Sequence, residues 1–286
     1  MYYILSKASL KKKSFKKQIK IINSFYFLHL NKIYLSYIFV QKNKIKIINF
    51  LKMSRLLIIS LIFYFFLSFT QAQNCTKQLT PAQRDAILKA HNQFRNTVAS
   101  GKQKAANGLL PQASNMNQMI WDFELEALAQ GWANTNPTDH NPNRQVPSAP
   151  NDYIGENMYW SSKGTSSKLT PGNFNATGGV ASWFNEVIYY NGNVTNFGSE
   201  QTSQVIGHFT QIIWGNTLRV GCGILDCVTS TTSSRMTMYN EAVTFVCDYR
   251  LGGNWEEEPI YNAGTPCSQC SGSCSQNYTS LCAPSN

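Results

Sequence analysis

From residue 80 onward the hydrophobic and polar positions change period several times, and each change marks an element. Thr80-Pro81-Ala82-Gln83 reads as a helix start: threonine as N-cap, proline at the first helical position, glutamine completing a capping box. Ile87, His91, Phe94 and Val98 then share one face, and the helix stops near Gly101. Residues 102–118 are a polar loop. Leu125, Leu128, Ala129 and Trp132 next recur at helical spacing from about Asp122. The Pro- and Asn-rich stretch 135–152 is a long loop. GENMYWSS at 155–162 alternates around Met158 and Trp160, which predicts a strand. A Ser/Thr/Gly loop leads to a third helix with Val180, Trp183, Phe184 and Val187 inward. Residues 189–204 form a polar loop studded with aromatics. In GHFTQIIW at 207–214, Phe209, Ile212 and Ile213 make the apolar face of another helix, with His208 at its start. Residues 219–225 and 236–249 read as strands that pair across a Ser/Thr turn.

The pattern breaks at both ends. Of residues 1–52, 35 are Phe, Tyr, Ile, Asn or Lys, and none is Gly, Pro, Asp, Glu, Thr, Arg, Trp or Cys. All five enriched types have codons built only of A and T, so this stretch reads as translated upstream sequence with the start at Met53, or else as a disordered basic extension. Residues 53–72 read as a secretory signal: Arg55, an apolar run over 56–69 that is short for a membrane span, then Thr70-Gln71-Ala72 with cleavage after Ala72. At the other end, residues 259–286 carry four cysteines between 267 and 282 and little apolar content, so disulfides are expected to hold them. The folded domain is then 73–258.

Charge changes the picture only until it is located. The formal net charge of +10 suggests a nucleic-acid or membrane partner. Yet residues 1–72 hold 13 of the 25 Lys and Arg and none of the 15 Asp and Glu. The remainder is mildly acidic, which argues for no nucleic-acid partner, and no stable membrane span is expected. All eight cysteines lie beyond residue 72, an even number that predicts four disulfides in a secreted, extracellular protein. Sequons at Asn74, Asn175, Asn193 and Asn277 fit that compartment.

His208 alone is more simply a core histidine, and His140 alone an exposed loop residue. No serine sits in a G-x-S-x-G elbow, no cysteine is left over by count, and HExxH is absent. What changes the weighing is the set of segments and their order: GENMYW at 155–160, WFNE at 183–186, GHFTQIIWGNTLRVGCG from 207 and FVCDYRLGGNW at 245–255. Together they resemble the CAP superfamily of cysteine-rich secretory, antigen-five and pathogenesis-related proteins, over about residues 75–282. The last match is partial, since the family usually has proline where this chain has Leu251. HNQFR from His91 also matches, as a structural part of the first helix.

The resemblance implies an α+β fold, a three-layer α-β-α sandwich around a central antiparallel sheet, followed by a small disulfide-rich hinge. It is most like the secreted venom-allergen-like proteins of nematodes, which implies a role in host interaction or immune modulation. It implies a cleft lined by His140, Glu156, Glu186 and His208. Two imidazoles there suit a divalent cation, zinc above others, with the carboxylates orienting the rings. It further implies the bonds Cys222–Cys247, Cys267–Cys274 and Cys270–Cys282. Cys75 and Cys227 remain; the family's usual partner for the latter is missing from Asn134-Thr135-Asn136, so these two are expected to pair. Tyr189, Tyr190 and Phe197 align with a sterol-binding loop of some members. The function expected is a secreted protein that binds a small lipid or sterol, or a host protein, with a cation in the cleft. The alternative is a metal-dependent hydrolase or protease with Glu156 or Glu186 as general base; no catalytic residue is assigned, and binding is favoured over catalysis.

Overall fold

The computed structural model describes residues 74–199, 202–232 and 236–284, and upstream of them only Lys32, Ser36, Phe39 and Lys44. The expected extension at 1–52 and signal at 53–72 lie outside the described residues. The chain divides into two units, Met1–Gln71 and Ala72–Asn286, and the elements below belong to the second.

Strand β1 (Asn74–Thr76) precedes helix α1 (Pro81–Ala99), which starts as its sequence dictates. The Gln83 N–H donates to the Thr80 hydroxyl and the Thr80 N–H to the Gln83 side chain, closing the capping box. Two short strands, β2 (Lys104–Ala105) and β3 (Gly108–Leu109), pair only with each other. After β4 (Ile120–Trp121), helix α2 (Phe123–Ala133) is capped by Asp122, whose carboxylate accepts from the N–H of Glu124 and Leu125. Strand β5 (Gly155–Thr165) leads to α3 (Ala176–Phe184), which tightens into a 3₁₀ turn over Asn185–Tyr189. Helix α4 (Gly207–Ile212) comes before the long hairpin of β6 (Arg219–Thr232) and β7 (Thr237–Arg250). That hairpin runs further than its apolar positions predict, because the Thr-rich run 229–232 is itself strand-prone.

The main sheet has the order β1-β6-β7-β5, antiparallel throughout, with β4 added to β6 in parallel. Alternation along the two long strands decides what each face meets. Val220, Cys222 and Ile224 of β6, with Val243, Phe245, Cys247 and Tyr249 of β7, face the main core. There they meet Ile87 and Val98 of α1, Val180 and Trp183 of α3, and Phe209 and Ile212 of α4. Leu225, Val246 and Met158 turn the other way and pack on Ala129 and Ala133 of α2. The result is a three-layer α-β-α sandwich. On the α2 side Gly221 and Gly223 let the helix backbone lie directly on the sheet: a Cβ at Gly223 would stand 2.3 Å from the Gln130 backbone.

The C-terminal segment departs from expectation. Four bonds form, Cys75–Cys227, Cys222–Cys247, Cys267–Cys274 and Cys270–Cys282, and no cysteine is free. Yet the segment is held by packing as well as by disulfides. Ile260, Tyr261 and Leu281 are buried in the main core. Backbone bonds tie the segment to residues 112–118, among them Ser114 N–H to Asn262 O and Cys282 N–H to Met116 O. A few well-spaced apolar residues suffice because the core they enter already exists.

Candidate functional site

The four residues singled out in the sequence form two His–Glu pairs. His140, in the loop after α2, donates its Nδ1–H to Glu156 Oε1 at 2.6 Å. Glu156 opens β5 with its side chain fully buried, while His140 is half-exposed. The same oxygen accepts the Asn141 N–H at 3.0 Å and lies 3.5 Å from Arg144 Nη1. A cleft of about 210 Å³ is lined here by His140, Arg144, Glu156, Gln211 and Asn254, among others.

The second pair joins two helical elements. His208 at the start of α4 donates Nδ1–H to Oε1 of Glu186, in the 3₁₀ turn after α3, at 2.6 Å. The other Glu186 oxygen accepts the N–H of His208 and of Phe209, both at 3.1 Å. α4 has no capping side chain of its own, since Ile206 stands at the N-cap position. Glu186 supplies the acceptor that the local sequence lacks, and its charge suits a helix start. The ring of His208 stacks on Trp183 at 6.1 Å, and Trp183 stacks on Phe245 of the sheet at 5.2 Å.

Other buried polar residues, most of them missed by sequence reasoning, surround these pairs. Asn157 Nδ2, next to Glu156, donates to His208 O at 3.0 Å and to the Tyr249 hydroxyl at 3.2 Å. His91 is wholly buried and, as expected, is no ligand: it sits 2.9 Å from Ile87 O and 3.0 Å from the Tyr249 hydroxyl. Only one tautomer satisfies both, with Nδ1–H donating to the carbonyl and Nε2 accepting from tyrosine. Burial lowers the His91 pKa to about 4, so the ring is neutral. Arg95, equally buried, donates to the carbonyls of Asn117, Ile212, Trp214, Gly215 and Thr217 and so pins the far end of α4. The Gln211 side-chain carbonyl accepts the Gly253 N–H at 2.8 Å, and the Asn254 amide donates to Gly207 O at 2.8 Å. The one available signal was a polar residue at a core-facing position of a strand or helix.

The three loop aromatics differ in their surroundings. Tyr190 is fully buried, its ring against Phe209 and its hydroxyl donating to Asn193 O. Phe197 packs edge-on against Trp214, and of the three only Tyr189 is exposed. Asn175, Asn193 and Asn277 are exposed. Among the described residues no group of three or more His, Cys, Asp or Glu is placed to hold a metal ion. No helix among them is long and apolar enough to cross a membrane.

A sandwich of this topology, with two carboxylate-anchored histidines on loop and helix ends, defines a class before any comparison is made. The family model for the cysteine-rich secretory protein (CAP) family matches residues 88–249, and the chain belongs to that family. It is 32% identical over 205 residues to GLIPR1-like protein 1 of Mus musculus, covering 71% of this chain and 72% of that protein. Among solved structures it is similar to BmVAL-1, with 32% identity, a TM-score of 0.56, and 73% of this chain and 97% of that one covered. It is also similar to NaASP2 with Zn²⁺, with 28% identity, a TM-score of 0.53, and coverage of 72% and 97%. Against CRISP/Allergen/PR-1 of Trittame loki the chain spans only 45% of the relative's length.

Proposed function

We propose that this is a secreted CAP-domain binding protein that holds a divalent cation, zinc, between His140 and His208. It engages a small lipid or sterol, or a host protein, in host interaction or immune modulation. The observation that carries the cation reading is the matched way the two rings are held. Each Nδ1–H is spent on a carboxylate, Glu156 or Glu186, at 2.6 Å. That leaves Nε2 as the donor atom of each ring, the arrangement in which an outer carboxylate fixes tautomer and raises ligand basicity. The residues therefore fit zinc chemically, and two nitrogens leave coordination positions open for water or an anionic ligand. A relative crystallised with Zn²⁺ supports the reading. Secretion is supported by four disulfides, which persist in oxidising compartments. For a lipid, the support is apolar side chains left exposed next to the second pair in the chain: Ile188, Tyr189 and Val205.

The hydrolase alternative needs a glutamate free to take a proton from water. Glu186 already accepts from three donors, which weighs against it there. Zinc titration by calorimetry tests the proposal. Wild type is expected to bind one ion, and His140→Ala and His208→Ala each to lose at least tenfold in affinity. Unchanged affinity in the double variant overturns the cation site. Chelator-sensitive turnover of a peptide or ester library would favour the hydrolase, and native mass spectrometry of purified protein reads out any retained lipid.

A further inference from the structure

Behind the His140–Glu156 pair lies a second carboxyl group. Asp248 of β7 is directly opposite Glu156 of β5 in the strand register. It is fully buried, and both its carboxyl oxygens lack a hydrogen-bond partner, as does the second oxygen of Glu156. Two ionised carboxylates facing each other across a dry sheet would repel strongly and leave three acceptors unsatisfied. One proton removes the repulsion and pairs two of the three oxygens with each other. All the donors near the pair meet the other side of Glu156: the His140 ring, the Asn141 N–H and Arg144. The negative charge therefore belongs on Glu156 and the proton on Asp248.

We propose that Asp248 is a protonated carboxylic acid at neutral pH, donating its O–H to Glu156 Oε2, and that it is the positioning residue that aims Glu156 at His140. The three side chains then form a chain: Asp248 O–H to Glu156, and His140 Nδ1–H to the same carboxylate from the other side. Burial first, and the neighbouring Glu156 charge second, push the Asp248 pKa well above the ordinary aspartate value, with Arg144 opposing. Other charges around the site are already engaged. On α2, Asp122 carries the helix cap and faces Arg219, Glu124 accepts from Ser148, and Glu126 is held by Arg84 and Trp121. On β7, Arg250 faces Asp152. On the opposite face of β7, Tyr249 is neutral, its pKa raised by burial. The proposal stands whether or not the cleft binds a cation.

The sign of the pH effect follows from linkage. A carboxyl whose folded pKa is raised binds more protons folded than unfolded. Its contribution is complete below the unfolded value near 3.8 and is lost as pH rises toward the folded pKa. Asp248→Asn keeps a donor to Glu156 but removes that titration. Its stability is therefore expected to fall less than wild type's between pH 4 and 8, with the NMR signal of the His140 Nδ1–H that bonds Glu156 left in its wild-type position. Asp248→Leu, which has no donor, is expected to move that Nδ1–H signal, because Glu156 is no longer held from behind. The direct test needs no variant: infrared spectroscopy of the full chain at pH 7, unlabelled and with side-chain ¹³C-aspartate. A protonated-acid C=O band that moves with the aspartate label is the expected result. Absence of the band, or a band that moves only with a glutamate label, overturns the proposal, as does an Asp248→Asn stability profile that parallels wild type.

Discussion

Replacing Cys75 and Cys227 with serine removes a covalent tie whose worth follows from its place in the chain. The two residues face each other in the β1–β6 register, with Cα atoms 4.1 Å apart and 152 positions between them in sequence. The other bonds span 25, 7 and 12 positions and offer no shorter path between them. Closing so long a loop lowers the entropy of the unfolded chain by an amount worth about 5 kcal/mol at 25 °C. Set against a typical total of roughly 5–15 kcal/mol, that is a large share. β1 has only three residues in the sheet, so without the bond it has little to hold it. Urea unfolding of the double serine variant under non-reducing conditions is the assay, with hydrogen exchange on β6 read beside it. A loss of about 3–5 kcal/mol is expected, since real bonds often deliver less than chain entropy allows. A loss under about 1 kcal/mol with an unchanged urea dependence would refute the reasoning, for it would mean that the unfolded chain is not loosened. Fast exchange confined to the β1 edge of β6, with global stability intact, would refute it differently, by showing that β1 opens alone.

Three further outcomes follow from the buried groups. His91 has its pKa lowered to about 4, so the unfolded chain binds its proton first as pH falls from 6.5; stability should drop by up to about 3 kcal/mol between pH 7 and 4, and His91→Gln should lack that component in paired urea titrations. Gly223→Ala places a methyl 2.3 Å from the α2 backbone, which cannot swing aside as a side chain can; a loss of about 3 kcal/mol or more by thermal unfolding is expected. Arg95→Met leaves the carbonyls of Asn117, Ile212 and Thr217 without the guanidinium, whereas Trp214 O and Gly215 O keep other donors; at roughly 1 kcal/mol each, calorimetry should show a loss of about 3 kcal/mol.

How far these features could be read from the sequence depended on the distance over which their causes act. The cap of α1 is local, and Thr80 and Gln83 announced it; the start of α2 near Asp122 is local too. The apolar face of α1 and the strand alternation of β5 are equally local. Cross-strand register is not local. Nothing in the order of residues says that Glu156 falls opposite Asp248, yet that pairing sets the charge behind His140. The loop aromatics differ for a related reason: composition marks Tyr189, Tyr190 and Phe197 alike, and only the packed core separates the exposed Tyr189 from the buried Tyr190 and the partly buried Phe197.

Glu186 shows why fold and site are hard to separate in this protein. Its carboxylate holds the His208 ring and also takes two of the free N–H groups in the first turn of α4, those of His208 and Phe209. The N–H groups of a helix start are usually served by a capping side chain at the residue just before the helix, but here that residue is Ile206. With no cap in place an acceptor must arrive from elsewhere, because helix-start donors this poorly exposed are costly to leave unpaired. Whichever residue filled that role would necessarily stand beside the imidazole. The glutamate's structural duty thus brings it to the place where an imidazole-orienting carboxylate is needed. The same logic reaches Asn157, which ties β5 to His208 O while its neighbour Glu156 orients His140. The two pairs are fastened by the bonds that join the layers, so the geometry of each pair is set by how strand and helix ends meet and does not need a separate scaffold.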